Sequence, residues 1–73
     1  MNKRIRKKKL KQARSLLSEH EQQIEDNLRA QCRALGLDED QWYTYTLDLS
    51  KVMHHLRAEF HLRALIRHLR RSL

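Results

Sequence analysis

The chemistry most plainly written in this chain is positive charge. Lys3-Arg4-Ile5-Arg6-Lys7-Lys8-Lys9-Leu10-Lys11, followed by Arg14, is a row of cations with no acid among residues 1 to 14. A dense row of this kind gains affinity for phosphates by releasing condensed counterions. Were about six phosphates neutralised, the logarithm of affinity would fall with the logarithm of salt at a slope near −5 on duplex DNA. The plainer reading is a solvated helix start, and a third is contact with an acidic protein. A second basic block, Arg63, Arg67, Arg70 and Arg71, stands near the other end of the sequence.

Other residue types that carry chemistry form weaker patterns. His54, His61 and His68 recur every seven residues, about 10 Å apart along a helix, too far for one metal to hold two of them. His55 and Glu59 are close enough to share an ion, but two ligands make a weak site, and the histidines read better as a polar flank with some pH sensitivity. There is no glycine-rich phosphate loop, no His-Glu-x-x-His motif and no nucleophile placed near a base. The sequence therefore assigns no catalytic residue, no metal site and no cofactor. Cys32 is the only cysteine, which points to a reducing compartment, the cytosol.

Charge is segregated along the chain. Between the two basic blocks lie Glu19, Glu21, Glu25, Asp26, Asp38, Glu39, Asp40 and Asp48 against only Arg29 and Arg33. The order is basic, acidic, basic, with a net charge of +7. No apolar run has the length of a signal peptide or a membrane span, so a soluble protein is expected.

One glycine, no proline and abundant Leu, Ala, Lys, Arg, Glu and Gln predict an all-α fold. Leu10, Ala13, Leu17, Ile24, Leu28 and Leu35 recur at helical spacing, and Gly36 followed by Leu37 has the form of a helix stop. Lys3 to Lys11 place cations at the positive end of the helix dipole, so residues 1–9 are expected to be a frayed, flexible basic arm ahead of a helical domain over 10–73. Asp38 and Gln41 suggest a short helical or irregular connector through Trp42. The alternative is extended backbone, since residues 41–46 are rich in strand formers. A last helix starts between Thr46 and Ser50. Its apolar residues fall into two sets, Leu49, Val52, Met53, Leu56 and Phe60, then Leu62, Leu65, Ile66, Leu69 and Leu73, directed roughly 180° apart at about 100° per residue. Either this helix breaks near Phe60, or the second set meets another copy of the chain or a different protein.

The expected architecture is two long helices in an antiparallel hairpin, with both basic blocks at one pole and Trp42 with the acidic residues at the other. Phosphate contact is assigned to Lys3, Arg4, Arg6, Lys7, Lys8, Lys9, Lys11, Arg14, Arg63, Arg67, Arg70 and Arg71. Contact with a protein partner is assigned to Leu62, Leu65, Ile66 and Leu69, with Trp42 and Tyr45 at the connector. An aliphatic face backed by arginines also suits a membrane surface, but it lacks the Trp or Phe usual there, which argues against a membrane.

In length, lack of enzyme motifs, basic helical character and single cysteine, with the run Lys3 to Lys11, the chain resembles the small phage-encoded factors that bind a host bacterial RNA polymerase and inhibit initiation or promote antitermination. The resemblance implies polymerase subunits near the nucleic-acid path as partners, with the basic segment close to nascent RNA or DNA. It rests on no shared motif and assigns no role to any residue. Two readings follow: a regulator that docks on the transcription machinery through its apolar face, and a protein that binds RNA or DNA directly through its cations. Monomer and homodimer are both compatible with the sequence.

Overall fold

The computed structural model of the chain describes residues 3–72. Helix α1 runs Lys3–Leu35, a 3-10 helix follows at Glu39–Thr44, a second at Ser50–Val52, and helix α2 runs Met53–Arg71. The two long helices pack antiparallel: Arg6 bonds to Ser72, Glu21 to Arg63, and Gln31 to Asp48. Strands are absent among the described residues, and the 51 × 18 × 16 Å envelope is that of a rod. No helix among them is long and apolar enough to cross a membrane.

Each turn is built from residues whose chemistry demands it. Gly36 has φ 72°, the left-handed conformation that a Cβ disfavours, and it ends α1 in a Schellman motif. The Leu37 N–H donates to the Cys32 carbonyl at 2.8 Å and the Gly36 N–H to the Arg33 carbonyl at 3.2 Å, satisfying two of the last carbonyls of α1. Asp38 caps the first 3-10 helix by accepting from the Asp40 N–H at 3.0 Å. Asp48 accepts from the Ser50 N–H at 2.9 Å at the start of the second. The connector is thus short helix and irregular chain, as Asp38 and Gln41 suggest, and of the extended alternative over residues 41–46 only Tyr45, just past the helix end, has extended backbone.

The interhelical seam follows steps of three and four residues, close to the 3.5-residue average of a coiled-coil contact. Along α1 it passes Arg6, Leu10, Ala13, Leu17, His20, Ile24, Leu28 and Gln31, and along α2 Val52, His55, Glu59, Leu62, Ile66 and Leu69, all buried or half-buried. Neither alternative drawn from the two apolar sets holds among the described residues: the helix does not break near Phe60, and most of the second set meets α1. Helix α2 is continuous, and its seam takes Val52 from the first set and Leu62, Ile66 and Leu69 from the second, joined through His55 and Glu59. The two polar residues hide a straight seam from a search for apolar spacing. Leu73 lies outside the described residues.

Burial is uneven along the seam. At the connector end Val52 packs with Ile24 and Leu28, and Trp42, Leu47 and Leu56 close over them. Cys32 is wholly buried there. At the other end Leu10, Ala13 and Leu69 are buried, with Leu17, Leu62 and Ile66 half-buried around them. His20, His55 and Glu59 divide the two.

Candidate nucleic-acid interface

The hairpin brings the two basic blocks to one end, as the charge pattern predicts. The Arg6 guanidinium donates to the Ser72 carbonyl at 2.7 Å, placing a cation on the last carbonyls of α2, where the helix dipole is negative. Sequence reasoning assigns Arg6 to phosphate; the structure instead uses it, half-buried, as the clasp between the two basic segments. Helix α1 begins at Lys3, so residues 3–9 continue the helix of the hairpin where a separate arm was expected. Residues 1 and 2 of that arm lie outside the described residues.

Two adjoining concavities mark the flank of the basic end that also carries Glu21 and Arg63. One, of about 470 Å³, has Leu17 and Ile66 as its floor and Arg63, Arg67, Arg70 and Arg71 as its walls. The other, of about 570 Å³, lies along α1 and is lined by Lys7, Leu10, Lys11, Arg14, Ser15 and Ser18. Lys3, Lys7, Lys11 and Arg14 are spaced four, four and three residues apart and share this face. Arg4 and Lys8 point away from the seam, and Lys9 falls toward the opposite flank.

The cations differ in how far they are already engaged. Arg63 donates to Glu59 at 2.8 Å and to Glu21 at 3.1 Å, contacts that hold its guanidinium still more firmly protonated, Glu59 most strongly. Its charge is largely answered within the hairpin, so it is a weaker phosphate ligand than the sequence implies. Among the described residues no carboxylate pairs with Lys7, Lys11, Arg14, Arg67, Arg70 or Arg71. Their mutual repulsion is a standing cost that a polyanion would relieve.

At the connector end several charges are paired. Arg29 donates to Glu25 and to Asp40, each at 3.0 Å, and to the Glu39 carbonyl at 3.4 Å, while Arg33 pairs with Glu39 at 3.0 Å. These contacts raise the Arg29 pKa, the Asp40 bond foremost. The acidic pole expected at the connector is thus partly offset by Arg29 and Arg33, which pair with Glu25, Glu39 and Asp40, while Asp26, Asp38 and Asp48 keep that end net acidic. The role of Gln31 is not visible in the sequence. Its amide nitrogen donates to the Asp48 carbonyl at 2.7 Å and its amide oxygen accepts from the Asp48 N–H at 3.0 Å, pinning the incoming chain to α1 as a neighbouring strand would.

The residues assigned to a protein partner are redistributed. Leu69 is buried at 5% exposure, and Leu62 and Ile66 are half-buried in the seam, so α1 already covers most of the aliphatic face expected to capture a partner. Leu65 remains outside at 44% exposure. It shares the flank of His55 and Leu62 on α2, and Leu16, 47% exposed, shares the flank of His20 on α1. His20 meets His55 across the seam, Nδ1 to Nδ1 at 2.8 Å, so the two leucines lie on one side of the hairpin, opposite the arginine-walled groove. Trp42 is turned onto the core, Tyr45 is half-buried, and the exposed aromatic of the connector is Tyr43.

The histidines also take up new places. His55 stacks near His54, with ring centroids 3.9 Å apart, and burial, then His54 and His20, push its pKa below the ordinary histidine value. His55 meets His20 in the seam instead of sharing an ion with Glu59. No group of three or more metal-ligating side chains occurs among the described residues. Compared with family models, with curated proteins and with solved structures, the chain matches none.

Proposed function

We propose that the protein binds nucleic acid through phosphates at the basic end of the hairpin. The observation that carries this reading is that Lys7, Lys11 and Arg14 on α1 line one concavity and Arg67, Arg70 and Arg71 on α2 another at the same end of the hairpin, with no carboxylate paired to them among the described residues. Six cations on one flank favour a polyanion, and the aliphatic floor offers nothing that reads a base edge. Binding is therefore non-specific in sequence and steep in salt. Titration of fluorescent RNA and DNA across a salt series tests it. Affinity should fall with a log–log slope of about −4 to −5 for six phosphate contacts, and replacing Lys7, Lys11 and Arg14 by Gln should flatten the slope by about two to three units. Failure of the purified protein to bind any nucleic acid in a salt-dependent way would end this reading.

A second reading, docking on the bacterial transcription machinery, has its own support in Leu16 and Leu65, two apolar side chains left outside on the flank opposite the arginine-walled groove. On this reading the leucine flank meets an RNA polymerase subunit and the arginine flank lies near nucleic acid, so that transcription is modulated by where the protein sits. Pull-down of purified bacterial RNA polymerase in the presence of nuclease tests it. Wild type should retain the enzyme, and Leu16→Ser with Leu65→Ser should not; equal retention by both would count against it.

A further inference from the structure

We propose that Phe60 is a stacking anchor for an unpaired base, so that the nucleic acid held at the basic end is single-stranded. This rests on the nucleic-acid reading above and goes one step beyond it. Phe60 is 72% exposed in the middle of α2, where the sequence pattern places it in the apolar stripe. Its ring stands nearly perpendicular to that of His61, with centroids 5.7 Å apart, and at this exposure most of the ring is open to solvent. At this exposure the ring adds little to the core of the hairpin.

Its surroundings state what it would meet. Residues three and four apart on a helix are neighbours, so Phe60 has Arg57 one turn before it, Arg63 and Ala64 one turn after, and Arg67 beyond. Arg63 and Arg67 are also walls of the groove floored by Leu17 and Ile66. With Arg63 already held by Glu59 and Glu21, Arg57 and Arg67 are the guanidinium groups beside the ring that can take phosphates while a base stacks on it. From Phe60 to Arg71 the helix rises about 16 Å, room for a few nucleotides. A duplex keeps its bases stacked on one another, out of reach of a ring on a helix surface. The other aromatic residues, Trp42, Tyr43 and Tyr45, stand at the far end beside Asp38, Glu39 and Asp40, where a phosphate strand is disfavoured. An apolar pocket on a protein is the competing occupant, and the arginines around the ring weigh against it unless that pocket is itself acidic.

The test uses the full chain with Phe60→Leu, which keeps size and helix propensity but removes the ring, and Phe60→Trp in a Trp42→Phe background. The probes are a 15-nucleotide oligo(dT), a 15-nucleotide oligo(U) and a 15-base-pair DNA duplex at one low salt concentration. Phe60→Leu should weaken single-strand binding about five- to a hundred-fold, with the duplex affinity and the salt slope unchanged. The tryptophan variant should bind single strands at least as well as wild type and lose emission as oligonucleotide is added. Single-strand affinity unchanged in Phe60→Leu, or equal losses on both substrates, would overturn the stacking role while leaving the phosphate reading intact. Absence of salt-dependent binding in wild type itself would overturn the phosphate reading instead. Circular dichroism of each variant shows that the helices are retained.

Discussion

The two ends of the hairpin solve opposite problems with the same two helices. At the connector end Ile24, Leu28, Cys32, Val52, Leu56 and Trp42 enclose apolar volume, and Arg29 and Arg33 are paired with Glu25, Glu39 and Asp40. At the basic end the seam is thinner, with Ala13 among its buried residues, and the cations on its groove flank find no acid beyond the pair that holds Arg63. Stability is concentrated where the chain turns, and unbalanced charge where it is open. On the nucleic-acid reading proposed above, a site that accepts a polyanion cannot also neutralise its own cations. The division of labour teaches that the closed end holds the fold so that the open end can remain electrostatically unsatisfied.

The strongest way to break this comparison is to empty the closed end. Leu28→Ala should cost about 2–5 kcal/mol, which is most of the stability that a core this small supplies, and circular dichroism in urea should show the helices largely lost. Leu10→Ala at the open end should cost less than half as much, because its neighbourhood collapses more easily. Equal losses would erase the distinction. Gln31→Ala should cost about 1–2 kcal/mol, since it removes both bonds to Asp48 and frees the incoming chain from α1. Gly36→Ala should cost about 1 kcal/mol through its left-handed backbone alone, since nothing lies within 4 Å of the added methyl group.

The polar layer between the ends responds to acid. His55 has its pKa lowered in the folded chain, first by burial and then by His54 and His20. The folded state therefore binds fewer protons than the unfolded one, and the stability present above about pH 6.5 is lost as pH falls toward the lowered folded value. The urea midpoint should drop between pH 7 and pH 5, and His55→Leu should flatten that dependence. The smallest expected change in stability is also the sharpest functional contrast. Arg67, Arg70 and Arg71 changed together to Gln should leave stability within about 0.5 kcal/mol per site, or raise it, while greatly weakening nucleic-acid binding in low salt.

Much of this molecule is legible in its sequence alone. Charge order is a linear property, so the basic and acidic blocks can be read from position. Gly36 with Leu37 announces the end of α1 because few residues other than glycine adopt the conformation required there. Asp38 announces the cap after it. The helix and hairpin class follows from composition and from the spacing of Leu10, Ala13, Leu17, Ile24 and Leu28.

The tertiary structure decided which face of each helix was already in use. Leu62, Ile66 and Leu69 are aliphatic whether they meet α1 or a stranger, and only the register of the hairpin showed that α1 covers them. His20, His55 and Glu59 lie in the seam because neighbours on both helices tolerate a polar layer there, which apolar spacing does not reveal. Phe60 joined the surface, Arg6 became a clasp and Arg63 an ion pair for the same reason. Local sequence sets what a residue can do, whereas burial and pairing depend on which distant residues the fold brings within a few ångströms.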